Sequence, residues 1–282
     1  MKAEIWGCRG TLPAPGPATV RYGGNTSCVA VETAEGRLVI LDCGSGLRLL
    51  GNALAPDPPA ELDILLTHMH LDHVAGLGFF APLFMDTVVR VWGPRIGDVP
   101  LADRIDTYLS PPLFPVRYAD IPATVEVTEV RDETWEVAGL TVTAGPVQHP
   151  GGALGFRLEE AGRTITYIPD NELGLDPDAG VKLATGTDVL FHDAQYTAAE
   201  YPSKVGWGHS SLPEFAEFVR RTEPGRALMF HHDPIHDDET LEDMRDEATR
   251  LAGREMELAA EGLVLDLGEA NALSTRFSGG SE

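Results

Sequence analysis

Four side chains able to ligate a metal fall within six positions of one another in Thr67-His68-Met69-His70-Leu71-Asp72-His73. In an extended segment side chains alternate with period two, so His68 and His70 share one face. Asp72 and His73 fall on the turn that follows and can point back toward a second position. Neutral imidazoles and carboxylate oxygens suit zinc, manganese or iron. A lone histidine is more often structural, but a tight His-x-His-x-Asp-His cluster after a buried strand is a metal-binding pattern. Further candidates are His149, Asp170 and the pair His231-His232, each after a strand-like run. Taken singly, these would be ordinary loop groups.

Such a cluster needs rigid elements to hold it. The strand that carries it is Glu61-Leu62-Asp63-Ile64-Leu65-Leu66, an apolar run after a Pro-rich loop. Residues 27–32 and 37–42 read as two strands around a turn containing Gly36, and 88–92 as another. Later strand-like runs are 124–130, 140–144, 153–158, 164–168, 188–191 and 227–230. Helical spacing appears at 213–221, with Phe215, Phe218 and Val219 on one side and Ser210 or Ser211 as the N-cap. A second helix, 238–251, places Leu241, Met244, Ala248 and Leu251 on one stripe opposite a charged face. Many strands with few helices predict two sheets with helices packed outside. The Pro-rich stretch 94–122 surrounds a short helix, 101–109; it is either a lid over a site or a packed surface insertion. The organisation expected is a single domain over 1–270 and a polar, frayed tail over 271–282.

The chain has 282 residues, of which 44 are acidic and 21 basic, giving a formal net charge of −23. With 43% hydrophobic and 23% charged residues it is neither disordered, collagen-like nor disulfide-dense. So much negative charge opposes long polyanions and anionic membrane surfaces. Small anionic substrates remain compatible where a metal or a few arginines reverse the local potential. No apolar run approaches the roughly 20 residues that span a bilayer. The start, Met1 to Trp6, enters a strand pattern without a signal-peptide core, which leads to the expectation of a cytoplasmic protein. Cys8, Cys28 and Cys43 form no Cys-x-x-Cys and are expected to be buried, reduced thiols.

The His68–His73 segment resembles the signature of the metallo-β-lactamase fold superfamily. Further matches follow in the family's order: Asp42 in Leu41-Asp42-Cys43-Gly44, His149, Asp170 in Tyr167-Ile168-Pro169-Asp170, and His231 after Met229-Phe230. The resemblance implies an α+β fold, a four-layer αββα sandwich with two metals along one edge of the sheets. It places His68, His70 and His149 on one metal, Asp72, His73 and His231 on the second, and Asp170 between them. His231 and His232 are hard to separate by sequence; His231-His232-Asp233-Pro234 looks like the His-x-x-Pro of phosphodiesterase branches, which favours His231.

Two segments narrow the branch. Asp188 to Tyr196, with His192-Asp193-Ala194-Gln195-Tyr196, resembles the His-Glu-Ala-Thr-Phe segment of tRNase Z-like enzymes, and Gly208-His209-Ser210-Ser211 resembles their Gly-His-Ser-Thr. In that family the carboxylate orients the histidine as proton donor, so the resemblance implies Asp193 and His209 as such a pair, with Asp in place of Glu. His149 and Asp170 are only 21 positions apart, a strand-turn-strand with Gly162 in the turn, so the tRNA-gripping arm of bacterial tRNase Z is missing. The similarity extends to phosphoribosyl cyclic phosphodiesterase-like proteins. Arg9, Asn25 and His232 are candidate substrate contacts, the first two in loops common to that group.

The expected function is therefore a two-metal phosphodiesterase, loaded with Zn²⁺ or Mn²⁺, acting on a small or cyclic nucleotide or phosphoribosyl ester. The metals would polarise the phosphoryl oxygens and hold a hydroxide for in-line attack, Asp72 assisting its deprotonation and His209 acting as general acid. Alternatives are lactone or β-lactam hydrolysis on the same site, an RNA-processing nuclease, and a non-enzymatic metal-binding protein. Family resemblance suggests a homodimer; no long nucleic acid and no membrane are expected as partners.

Overall fold

A computed structural model describes residues 1–268 and the backbone of Thr275–Phe277. Among these residues, eight strands form one sheet, in the order Thr275–Phe277, Leu263–Asp266, Lys2–Gly7, Cys28–Glu32, Leu38–Leu41, Glu61–Leu65, Val88–Pro94 and Thr124–Val130. Seven form the other, in the order Glu257–Leu258, Arg226–Phe230, Val189–Asp193, Arg163–Ile168, Ala153–Glu160, Leu140–Val147 and Glu133–Val137. Both sheets mix parallel and antiparallel pairs.

Period-two alternation distributes each strand between two apolar layers. Val29 and Val31 enter the core between the sheets, whereas Cys28 and Ala30 face the helix layer outside the first sheet. On the second sheet Leu228 and Phe230 point inward, and Ala227 and Met229 pack under helices Leu212–Thr222 and Asp238–Ala252. Helices Leu47–Leu54 and Leu101–Tyr108 cover the first sheet. The architecture is the αββα sandwich expected. Strands buried on both faces read as nearly continuous apolar runs, which is why these were legible in the sequence.

The strands that lead to the site run parallel. Leu38–Leu41, Glu61–Leu65 and Val88–Pro94 are parallel neighbours in one sheet, as are Arg163–Ile168, Val189–Asp193 and Arg226–Phe230 in the other. Asp42, His68, Asp170, Asp193 and His231 therefore all sit at or just past carboxyl ends of strands, on one edge of the sandwich.

Helix Leu212–Thr222 opens with Ser211, whose backbone N–H donates to the Glu214 carboxylate at 2.8 Å, half of a capping box. The stretch 94–122 is packed rather than free: Leu101, Ile105, Leu109 and Phe114 join the outer core of the first sheet, and the Tyr108 hydroxyl donates to the Ala75 carbonyl at 2.9 Å. The strands Glu133–Val137, Glu257–Leu258 and Leu263–Asp266 were not read from sequence. Glu133–Val137 is an edge strand, largely exposed, so its pattern lacks the apolar signal of its neighbours. The frayed tail expected over 271–282 lies outside the described residues, apart from Thr275–Phe277, which pairs with Leu263–Asp266. Among the described residues no helix is long and apolar enough to cross a membrane.

Candidate metal centre

His70 keeps an extended backbone, and the four-residue helix Leu71–Val74 begins immediately after it. That turn brings Asp72 and His73 back under the strand end, beside His68. His231 follows its strand with φ of 59°, and Asp42 follows its own with φ of 58°. Left-handed backbone at a non-glycine residue is strained, and both instances aim a side chain into the same cluster.

Two donor groups result. His68, His70 and His149 offer nitrogens within 4.8 Å of one another, and so do the donor atoms of Asp72, His73 and His231. His70 Nδ1 lies 3.0 Å from His149 Nε2, and His73 Nε2 lies 3.3 Å from His231 Nε2. Asp170 lies between the groups: Oδ2 is 3.0 Å from His73 Nε2 and Oδ1 is 3.3 Å from His231 Nε2. Those two histidines belong to the second group; toward the first, Asp170 groups with His68 and with His149.

The surrounding hydrogen bonds orient the imidazoles. His73 Nδ1 donates to Asp42 Oδ2 at 2.7 Å, His149 Nδ1 to the Gly208 carbonyl at 2.9 Å, and His231 Nδ1 to Gln195 Oε1 at 2.7 Å. His68 Nδ1 lies 3.1 Å from the Thr67 hydroxyl, itself 2.9 Å from Asp42 Oδ2. Each of these four rings thereby turns its Nε2 lone pair inward, the outer-shell arrangement that fixes ligand tautomers around a metal. His68 Nε2 is buried and has no hydrogen-bond partner at all, and the buried Asp170 Oδ2 has only His73 Nε2 near it, at 3.0 Å. An inward lone pair without a donor fits a cation and fits little else.

Electrostatics agree. Burial pushes His68, His70 and His149 below the usual histidine value, keeping them neutral as ligation requires. Burial would raise Asp170, but the neighbouring His231 and His73 imidazoles hold it well below the carboxylate range. Asp72 is depressed in the same way, with His73 and His231 outweighing its burial. His73 is pushed up despite burial, by Asp170, Asp72 and Asp42. Three carboxylates thus demand positive charge here, and a divalent ion meets that demand where a proton on His73 otherwise would. The donor set fits divalent metals.

Beside this cluster, His209 Nδ1 donates to Asp193 Oδ2 at 2.8 Å and lies 3.7 Å from Asp170 Oδ1. Burial works against a charge on His209, but Asp193 overcomes it and raises the imidazole above its usual value. His209 also groups geometrically with His149 and Asp170, and with Asp193 and His231.

Three expected substrate contacts are placed otherwise. Arg9 is fully buried, donating to the carbonyls of Gly23, Asp233 and His236, and so ties its own loop to the loop after His231. His232 is buried too, with Nε2 donating to the Ala259 carbonyl at 2.9 Å; burial lowers it to about 3. The half-buried Asn25 bonds Glu261 and Ser45. The choice between the adjacent histidines is decided by backbone: His231 joins the cluster and His232 turns away. His236 is buried and pairs with Glu200 at 2.9 Å, and His192 stacks on Phe215 and Phe218.

Several residues at the site were not singled out by sequence. Gln195 orients His231, and its position two residues after Asp193 was the available signal. The Thr11 backbone N–H donates to Asp72 Oδ2 at 2.7 Å. Gly10 must lack a side chain, since a Cβ there would lie 2.2 Å from His231 Nδ1. The fully buried Glu172 fastens the loop before His209, accepting from Gly206 and Gly208 N–H at 2.6 and 2.7 Å.

A family profile described as "Beta-lactamase superfamily domain" matches residues 37–232. A ribonuclease Z of Mycobacterium sp. (strain KMS) is 28% identical over 246 residues, 78% of this chain and 81% of that protein. The metallo-beta-lactamase fold protein YhfI of Bacillus subtilis superposes with a TM-score of 0.72 at 19% identity, over 93% of this chain and 97% of its own. Zn²⁺-bound PqqB of Methylobacterium extorquens superposes with a TM-score of 0.71 at 22% identity, over 95% and 100%.

Proposed function

The chain belongs to the beta-lactamase superfamily and is a metal-dependent hydrolase of the metallo-β-lactamase fold; from that premise we propose that it hydrolyses a small phosphodiester, a small or cyclic nucleotide or phosphoribosyl ester. The observation that carries this reading is the Asp193–His209 pair, 2.8 Å long, set against a two-lobed His/Asp cluster. Hydrolysis of a phosphodiester expels an alkoxide, which leaves readily only if protonated. With Nδ1 committed to Asp193, His209 presents Nε2 as the proton donor.

His68, His70 and His149 would hold one divalent ion, Asp72, His73 and His231 a second, and Asp170 would bridge, with Zn²⁺ or Mn²⁺ suited to this set. When bound, such ions supply Lewis acidity to the phosphoryl oxygens and lower the pKa of water. Asp42, Gln195 and Thr67 keep the imidazole nitrogens aimed inward, and Asp72 accepts a proton from the attacking water. PqqB, solved with Zn²⁺, supports zinc as the first ion to test.

Small substrates are favoured by the net charge of −23 and by the tight hairpin of Ala153–Glu160 and Arg163–Ile168, which leaves no arm between His149 and Asp170. The curated relative named ribonuclease Z favours a second reading, cleavage of RNA. Our reading includes a homodimer in the cytoplasm, where Cys8, Cys28 and Cys43, all free and buried, stay reduced.

The test is turnover by the metal-loaded protein of bis(p-nitrophenyl) phosphate and 2′,3′-cyclic nucleotides against a 3′-extended tRNA and lactone and β-lactam panels. Preference for the small diesters is expected. Turnover of the tRNA alone would replace our reading with the nuclease, and turnover of lactones alone would remove phosphodiester chemistry.

A further inference from the structure

Among the four tryptophans, Trp6, Trp92 and Trp135 are half-buried, whereas Trp207 is 58% exposed. Its exposure is not that of a loose loop. Trp207 lies between Gly206 and Gly208, with φ of 86° and 96°, and Glu172 grips the N–H of both glycines. The Tyr201 hydroxyl donates to the same carboxylate at 3.0 Å. Gly208 in turn accepts from His149 and lies so close that a Cβ on it would sit 2.2 Å from the His149 ring. The backbone that carries the indole is thus pinned on both sides, one residue from a contact with the candidate metal centre and two from His209.

Two more exposed apolar side chains flank the same cluster: Leu71, between His70 and Asp72, and Leu12, next to the residue whose N–H binds Asp72. A polar centre with an apolar, aromatic rim is the anatomy of a small-ligand site. Charge adds a second observation. Lys204, one of three lysines in a chain of net charge −23, holds Nζ 4.0 Å from the Trp207 ring centroid and 5.8 Å from that of Tyr196. The Tyr196 ring packs edge-on to His209, with centroids 5.9 Å apart. Lys204 therefore lies over two rings, Trp207 and Tyr196, the second of which meets His209, and puts a cation on the Trp207 side of the centre, from which an anionic ester can be drawn in.

We infer that Trp207 is the platform on which the substrate's planar group stacks and that Lys204 meets its phosphate, so that the substrate is a nucleotide rather than a base-free phosphoribosyl ester. This rests on the phosphodiesterase reading and selects within it. Neither side chain is a catalytic residue; both set specificity.

The test compares AMP with ribose 5-phosphate as ligands of the metal-loaded protein, by calorimetric titration. A base stacked on an aromatic side chain gives about 10- to 100-fold in affinity. The wild type should prefer AMP by that order, Trp207→Ala should abolish the preference, and Trp207→Phe should retain most of it, all three with equal metal content. Lys204→Ala should weaken both ligands alike, by about two- to fivefold, the range of an exposed charge pair. Equal affinity of the wild type for AMP and ribose 5-phosphate, or an AMP preference that survives in Trp207→Ala, would overturn the inference. If bis(p-nitrophenyl) phosphate is still hydrolysed, the parent reading stands without it. Failure to bind either ligand, together with failure to hydrolyse that diester, would remove both.

Discussion

Replacing His209 by alanine removes a side chain that touches the cluster but has its Nδ1 committed to Asp193 at 2.8 Å. If His209 is the general acid, the loss depends on the leaving group. A positioned acid contributes about 10²–10⁴-fold, or roughly 3–5 kcal/mol of barrier. Turnover of an alkyl or ribosyl diester should fall by that order. A p-nitrophenyl diester, whose phenolate departs without a proton, should be far less impaired. Asp193→Asn exchanges a charged hydrogen-bond partner for a neutral one, a difference of about 1–1.5 kcal/mol, so alkyl-ester turnover should fall about tenfold. The pH profile carries the same information. Asp193 raises His209, so the acid form persists below that raised value and alkyl-ester turnover should decline as pH climbs past it. In His209→Ala that limb should vanish. Steady-state kinetics on matched alkyl and nitrophenyl diesters, with metal content measured on the same samples, checks all of this. Equal losses on both ester types would refute the general-acid role, and loss of metal would make His209 a ligand instead.

Asp170→Ala should lower metal content at both positions, because its carboxylate groups with His68 and His149 of one set as well as with His73 of the other, and His68→Ala should do so with loss of activity; metal analysis after dialysis checks both, and a fully loaded, active Asp170→Ala protein would refute the bridge. His231→Ala should reduce metal occupancy, whereas His232→Ala should leave it intact and lower stability by about 1–3 kcal/mol through the orphaned Ala259 carbonyl, read by denaturant titration. His192 is buried and lowered to about 4, chiefly by burial, against 6.5 unfolded, so the fold excludes its charge. Its stabilising contribution is present above pH 6.5 and lost as pH falls toward 4, roughly 3 kcal/mol over that window. His192→Phe should flatten that part of the stability–pH curve, and an unchanged slope would show that another group titrates there.

The ligand cluster could be read in the sequence because four of its members are neighbours: a period-two strand followed by one turn suffices to bring His68, His70, Asp72 and His73 together. The core strands were legible for a similar reason, since burial on both faces leaves continuous apolar runs such as Ile64-Leu65-Leu66 and Leu228-Met229-Phe230. Edge strand Glu133–Val137 lacked that signal. Arg9 illustrates the opposite error. An arginine in a glycine-rich loop suggests an anion contact, yet here Nε and Nη1 donate to three backbone carbonyls, one in its own loop and two in the loop after His231, and Nη2 lies 3.9 Å from Asp238.

By itself the sequence determined which groups could ligate and which chemistry they could support, because those properties reside in residue type and short spacing. Tertiary structure alone decided which of His231 and His232 faces the cluster, since a left-handed φ of 59° at one residue sends its neighbour to the other side. It alone recruited Gln195, Thr67, Glu172 and the Thr11 N–H, none of which has an unusual side chain or spacing. These partners act on residues from neighbouring to more than sixty positions away, and their value comes from a direction and a distance of about 3 Å. Only the closing of two sheets on one another, driven by the apolar layer between them, fixes such directions.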